Sequence, residues 1–281
     1  MHSMNINNAN AGMAAYKGVE NMKQRIVTAI LALILFLPIV FYGSWPFVLL
    51  IYLLATIGLI ELVKMNDRRG MVLPIILSVL LLWVILAADK LLSVTWLGIN
   101  EGIMVLVFSL LVYTVLAKNK FTFTDAAFLL LATLYVGFGF YYMMETRMVG
   151  LNYFFYVLLV IWATDTGAYF FGRFFGKKKL WPAISPKKTM EGSFGGIAAA
   201  CVVAVVYHHF VPLPHSYLVL LGGALITSVF GQIGDLVESA FKRHYGVKDS
   251  GKLLPGHGGV LDRFDSLIFV FPLLHLIGFF Q

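Results

Sequence analysis

Hydrophobic residues along this chain come in long blocks, not in the alternating or amphipathic patterns of water-exposed elements. The blocks cover residues 26–42, 46–63, 71–88, 102–117, 126–144, 153–171, 193–211, 217–235 and 265–280, and each holds at most one Asp, Glu, Lys or Arg. A helix of roughly 20 apolar residues crosses about 30 Å of hydrocarbon, where the backbone must satisfy its own N–H and C=O groups. The pattern predicts an all-α polytopic membrane protein with about nine transmembrane helices. Polar residues are distributed unequally between the blocks. The first five blocks carry almost nothing polar beyond their ends, and Glu61, at the end of the second, is expected to be a boundary residue that snorkels to the interface. From Asp165 onward, both long inter-block segments are polar and charged.

This asymmetry divides the chain into three parts. Residues 1–21 are polar, Asn-rich and without apolar periodicity, so they are expected to be a disordered extension or an expression remnant, with Met22-Lys23-Gln24-Arg25 a natural start. Residues 22–150 form a scaffold of five spans. Residues 151–281 form a catalytic region of four spans with two cytoplasmic loops. No small-residue cleavage site follows the first block, which is therefore a span and not a signal sequence.

Charge sets the orientation. With the N-terminus in the cytoplasm and the C-terminus outside, all of the 21 lysines and arginines except Lys90 and Arg147 fall on the inner side. Composition agrees with a membrane chain: 60% of residues are hydrophobic and 12% charged, and mean hydropathy is +0.86. The net charge of +7 does not signal nucleic-acid binding, because the cations sit in short loops where they meet anionic headgroups. The 26 glycines suit close helix packing in lipid. Cys201 is the single cysteine, so the chain forms no internal disulfide. No internal repeat is visible, which weakens an inverted-repeat transporter reading.

Three groups carry candidate chemistry. Asp165 lies within the sixth block, where an ionisable side chain is costly unless it is paired, solvated or functional. Lys187 and Lys188 follow Ser185-Pro186, read as a turn, and precede a helix start near Thr189. Cations beside helix N–H groups make an anion site there, and Gly192, Gly195 and Gly196 keep that helix slim. The third group is residues 239–265, which gather Lys242, Arg243, Lys248, Asp249, Lys252, Asp262, Arg263 and Asp265 around Pro255-Gly256-His257-Gly258-Gly259. Asp262 and Asp265, three apart, share a helix face, and Asp235, at the end of the eighth block, approaches them from another helix. Hard carboxylate oxygens point to Mg²⁺ over Zn²⁺. His257 is read evenly as a loop residue or a phosphate contact. No phosphate-binding G-x-x-x-x-G-K-[ST] run, cysteine nucleophile or Ser-His-Asp arrangement is evident. The parts present suit metal-assisted phosphate chemistry.

Ser239, Lys242, Arg243, Lys248, Asp249, the Pro255–Gly259 run, Asp262, Arg263 and Asp265 resemble the signature of the phosphatidate cytidylyltransferases (CDP-diacylglycerol synthases). The segment around Ser185-Pro186-Lys187-Lys188-Thr189 and the Asp165 stretch resemble that family too, with Thr166 a mild departure from the small residue expected after this Asp. The resemblance implies transfer of CMP from CTP to phosphatidate, giving CDP-diacylglycerol and pyrophosphate in phospholipid biosynthesis. It further implies Mg²⁺ held by Asp235, Asp262, Asp265 and Asp165, with Lys248 and Asp249 also catalytic. Substrate would be held by Lys187, Lys188, Ser239, Lys242, Arg243, Lys252, His257, Gly258, Gly259 and Arg263. A second, monovalent cation such as K⁺, a homodimer, inner-leaflet lipid contact and a cytoplasm-facing site in the cell inner membrane complete the implied picture. Two alternatives remain at this point. A CTP-dependent polyprenol or phytol kinase would move the γ-phosphoryl group to an alcohol, and a transporter of anionic solutes would need no carboxylate cluster.

Overall fold

The computed structural model describes residue 24 and residues 27–66, 71–88 and 98–281. The expected extension over residues 1–21, and the charges at Lys17, Lys23, Arg25, Arg68, Arg69 and Lys90, lie outside the described residues. Each predicted block finds a helix. These are α1 (Val27–Tyr42), α2 (Ser44–Met65), α3 (Val72–Leu86), α4 (Ile99–Leu116), α5 (Phe123–Val149), α6 (Leu151–Phe175), α7 (Met190–Phe210), α8 (Tyr217–His244) and α9 (Leu261–Leu276). Among the described residues, six of them (α2 and α4 to α8) are long and apolar enough to cross a membrane, while α1 and α3 are shorter apolar helices. The chain is a multi-pass membrane protein.

The all-helical expectation misses one small sheet. Lys179–Trp181 (β1) and Ser185–Thr189 (β2) pair antiparallel, with Lys179 opposite Thr189 and Trp181 opposite Ser185. Ser185-Pro186 is therefore strand and not the expected turn, which falls at residues 182–184. A two-stranded ribbon has only edge strands, where proline's missing N–H does little harm. Thr189 then caps α7, its hydroxyl accepting the N–H of Gly192 at 3.1 Å.

Helix lengths depart from the hydropathy blocks where polar residues are useful. The eighth block was expected to end at Asp235, yet α8 runs on to His244. Phe241 continues its apolar face, meeting the Tyr135 ring of α5 at 6.0 Å. Lys242, Arg243 and His244 in the last turn suit the negative end of the helix dipole. Asp235 thus stands inside a helix, on a rigid support.

Small residues decide which helices touch. A Cβ on Gly195 of α7 would overlap the Phe171 side chain of α6, and one on Gly167 of α6 would stand 2.9 Å from the Gly195 carbonyl. The slim helix expected at Gly192, Gly195 and Gly196 is what lets α6 and α7 pack along their length. Gly234 does the same for α8 and α9, where an added Cβ would lie 2.8 Å from the Asp265 carbonyl oxygen. The buried core threads Phe47 of α2, Phe154 of α6 and Phe271 of α9 through the middle of the bundle.

The bundle has two ends. At one, Arg147 at the close of α5 donates to the carbonyls of Val40 and Phe41 at the close of α1. At the same end Tyr153, early in α6, meets His215 between α7 and α8. The ends of α2, α6 and α8, the β-hairpin and the starts of α7 and α9 gather at the other. That second end is polar.

Candidate functional site

A cavity of about 390 Å³ opens at the polar end, between α6, the hairpin, α7 and α8. Asp165, Tyr169 and Arg173 follow one another at four-residue spacing on α6, so a single helix face lines one wall. Arg173 Nη1 donates to the Tyr169 hydroxyl at 3.0 Å. Lys187 and Lys188 of β2 form the opposite rim, and Asp235 of α8 closes the floor. Lys188 Nζ lies 2.6 Å from Asp235 Oδ2, and the Ser239 hydroxyl donates to Asp235 Oδ1 at 3.2 Å. Each oxygen of Asp235 thus has one partner.

The hairpin that carries the two lysines is tied at both ends. The Glu191 carboxylate of α7 accepts the backbone N–H groups of Lys177 and Lys178 at 3.1–3.2 Å. Arg243 Nε donates to the Ile184 carbonyl in the hairpin turn at 3.2 Å. Helix N–H groups were expected to join the lysines in holding an anion, but those of Met190 and Gly192 are already given to the Lys178 carbonyl and the Thr189 hydroxyl. The side-chain cations Lys187, Lys188 and Arg173 are what this cavity offers a phosphate.

A second polar cluster lies beside the cavity, at the start of α9. Glu61 was expected to snorkel; instead it is buried, with 6% of its surface exposed. It accepts the N–H groups of Val260 and Leu261, both at 3.0 Å, and the Ser250 hydroxyl at 3.1 Å. The correction has a physical reason: α9 has no side-chain cap of its own, and its free N–H groups attract a carboxylate more strongly than the interface does. Asp262 sits next to it. Its Oδ2 accepts the N–H groups of Ser250 and Gly259, each at 2.8 Å, and the Ser250 hydroxyl at 2.9 Å. Its Oδ1 takes Lys242 Nζ at 2.7 Å, and Lys242 also pairs with the buried Glu238 at 2.5 Å. Gly258 has φ +85°, and a Cβ there would collide with the Asp262 carboxylate; one on Gly259 would collide with Glu61. The glycine run lets the backbone wrap two carboxylates.

The predicted residues therefore separate. Asp165, Lys187, Lys188 and Asp235 line the cavity, with Ser239 behind Asp235. Asp262, Lys242, Gly258 and Gly259 belong to the neighbouring cluster. Lys248, Asp249 and Lys252 are exposed on the loop before α9. Arg263 donates to the His257 carbonyl at 3.1 Å, and the buried His257 Nδ1 has no hydrogen-bond partner among the described residues. Asp265 accepts the N–H of its neighbour Ser266 at 2.7 Å. Asp165 and Asp235 line the cavity together, and Asp265 lies outside its lining on α9, where its backbone packs against Gly234, next to Asp235. Like charges held together at a membrane boundary call for a counter-charge.

Among the described residues, no three His, Cys, Asp or Glu side chains stand close enough to form a ready-made metal site. The donor chemistry nonetheless fits a hard cation: three carboxylates from α6, α8 and α9, with no soft ligand beside them. Asp262 is the least available of the four expected ligands, because four donors already occupy its oxygens. Sequence reasoning missed Arg173 as a cavity cation, and Glu61, Ser250 and Glu238 as members of the second cluster. The signal for Glu61 was there, as the lone charge within an apolar segment.

The cytidylyltransferase family matches this chain over residues 23–280. The phosphatidate cytidylyltransferase of Staphylococcus epidermidis strain RP62A is 50% identical over 258 residues, covering 91% of this chain and 98% of that protein. That of Bacillus subtilis strain 168 is 50% identical over 262 residues, covering 92% and 97%. A phosphatidate cytidylyltransferase of Staphylococcus aureus strain COL is 48% identical over 258 residues.

Proposed function

We infer that this chain, which belongs to the cytidylyltransferase family, transfers CMP from CTP to phosphatidate, forming CDP-diacylglycerol and pyrophosphate. The observation that carries the reading is the cavity at the polar end. It sets Lys187, Lys188 and Arg173 against Asp165 and Asp235, at the ends of membrane helices where a lipid phosphate and a water-soluble nucleotide can both arrive. Relatives at half identity across nearly the whole chain are phosphatidate cytidylyltransferases.

The substrates need no activated protein nucleophile. A phosphatidate oxygen, anionic at neutral pH, attacks the α-phosphorus of CTP in line; the new P–O bond forms as the bond to the β-phosphate oxygen breaks, and pyrophosphate leaves. The protein's work is to hold two anions together and steady the charge between them. Lys187, and the Arg173 N–H groups not given to the Tyr169 hydroxyl, bind phosphate oxygens by charge-assisted hydrogen bonds. Lys188 reaches a phosphate by letting go of Asp235, which then faces the cavity with only Ser239 as partner.

A divalent cation fits the released Asp235 together with Asp165 and Asp265, and when bound it would neutralise the crowded triphosphate oxygens. Mg²⁺ is the cation this donor set favours. Asp262 would join it through Oδ1 on giving up Lys242. The exposed Lys248 and Lys252 stand ready to draw the triphosphate toward the cavity. By the positive-inside distribution, the polar end faces the cytoplasm and the inner leaflet of the cell membrane. A homodimer is part of the same proposal and is read by the mass of the detergent-solubilised protein.

The test is isotopic. CTP labelled at the α- or the γ-phosphorus is supplied with phosphatidate in mixed micelles. Label from the α-position, and none from the γ-position, is expected in the chloroform-soluble product, with pyrophosphate in equal amount. Gamma label in the lipid would replace this reading with that of a kinase.

A further inference from the structure

Glu61 is in the last turns of α2, within the half of the chain that otherwise supplies scaffold. A carboxylate near the C-terminal end of its own helix is opposed by that helix's dipole. Glu61 is stabilised instead by another element: its oxygens take the N–H groups of Val260 and Leu261, at the positive start of α9. Its third donor is the Ser250 hydroxyl, from a residue only 5% exposed. That hydroxyl oxygen lies 3.1 Å from Glu61 Oε2 and 2.9 Å from Asp262 Oδ2. It has one hydrogen, so the two carboxylates compete for it, and it also accepts the N–H of Asp262 at 3.3 Å. Asp262 in turn holds Lys242 of α8. A continuous line of contacts runs from α2 through Ser250 and Asp262 to Lys242, and glycines at 251, 258 and 259 leave room for it.

We propose that Glu61 is a positioning residue for cytidylyl transfer, a carboxylate from the scaffold half that sets the orientation of Asp262 and Lys242 through Ser250. It does not touch substrate. Its effect is to hold the first turn of α9, and with it the neighbouring Asp265, in register with α8. The proposal rests on the cytidylyl-transfer reading above. A mere helix cap would contribute to folding and leave the turnover of the folded protein unchanged. A positioning residue changes turnover more than substrate affinity, because displacement of about 1 Å at a reacting group costs roughly 10²-fold in rate.

Full-length protein carrying Glu61→Gln, Glu61→Asp or Ser250→Ala is purified in detergent, and melting temperature, kcat, and KM for CTP and for phosphatidate are measured. Ser250→Ala keeps the two N–H bonds of Glu61 and the Ser250 N–H on Asp262, and removes the hydroxyl that joins the two carboxylates and accepts the Asp262 N–H, so it reports on positioning even if Glu61→Gln fails to fold. The expected result is a fall in kcat of roughly 10²-fold for Glu61→Gln and about tenfold for Ser250→Ala, with each KM within about threefold of the unaltered protein. Glu61→Asp, which keeps the charge, is expected to recover part of the loss. Unaltered kcat in folded Ser250→Ala, or Glu61 variants that lose melting temperature but no turnover, would overturn the proposal. If the unaltered protein moves no α-phosphorus from CTP to phosphatidate, the underlying functional reading fails first, and the positioning role falls with it.

Discussion

Asp262 and Asp265 lie one helical turn apart on α9, and their surroundings assign them different work. Four donors converge on Asp262: Lys242 Nζ, the N–H and hydroxyl of Ser250 and the N–H of Gly259. Asp265 accepts the adjacent Ser266 N–H, and its backbone packs against Gly234, next to Asp235. Replacing Asp262 by Asn turns an NH₂ toward groups that are themselves donors, and each buried donor left without an acceptor costs about 1–3 kcal/mol. Asp262→Asn is therefore expected to lower melting temperature and turnover together. Asp265→Asn disturbs little of the local bonding and is expected to leave melting unchanged while cutting turnover by roughly 10²–10³, the loss of about 3–4 kcal/mol of transition-state stabilisation. Thermal melts and initial rates on the same preparations check both. Equal behaviour of the two variants would mean that Asp265 is structural as well. Glu101, which caps α4 by accepting the Gly98 N–H, serves as the control.

At the scale of elements, the cavity exists because α6 and α7 approach closely enough for the hairpin between them to fold back over their ends. Gly195 is the tightest point, with the Phe171 ring directly over it. Gly195→Val has no room unless Phe171 moves, and overpacking of this kind costs typically about 1–3 kcal/mol. The wall carrying Asp165, Tyr169 and Arg173 would move with α6. The expected outcome is a lowered melting temperature and a raised KM for CTP, measured in detergent. Gly222, where an added Cβ meets nothing within 4 Å, is the matched control; if Gly222→Val and Gly195→Val behave alike, packing at the α6–α7 contact is not what shapes the cavity.

For the whole molecule, the open question is which way the polar end faces. The positive-inside rule, applied to the lysines and arginines, predicts that it faces the cytoplasm. Cysteine labelling tests this, once Cys201 is replaced by Ser. Positions near 250 and 213 suggest themselves from sequence, but Ser250 and Leu213 are buried. Leu253, which is 54% exposed, and Ala183 in the hairpin turn suit the polar end, and Pro212, also exposed, suits the opposite end. Ala183→Cys and Leu253→Cys are expected to react only from the cytoplasmic side and Pro212→Cys only from outside. Labelling of the first two from outside would invert the orientation and move the proposed nucleotide site away from the CTP pool.

Much of this protein was legible in its sequence. Hydropathy summed over about 20 residues locates helices that satisfy their own backbone bonds, so each of the nine blocks coincides with a helix, and the crowding of charge into residues 165–265 coincides with the polar end and its cavity. Hydropathy could not say where a helix ends once its polar residues become useful, which is why α8 runs past Asp235 to His244. Nor could it anticipate a ribbon at Ser185–Thr189, whose pairing depends on the spacing of the two helices that flank it. Above all, the sequence grouped Asp262 with Asp235 as metal ligands and left Glu61 at the interface. Only the tertiary structure set Lys188 on Asp235 and gave Asp262 to Ser250, Gly259 and Lys242. It also brought Glu61, some 200 residues away in the chain, to the start of α9. Partners of that kind depend on which helix end lies beside which, and a buried carboxylate takes whatever N–H groups and cations the packed bundle brings within reach.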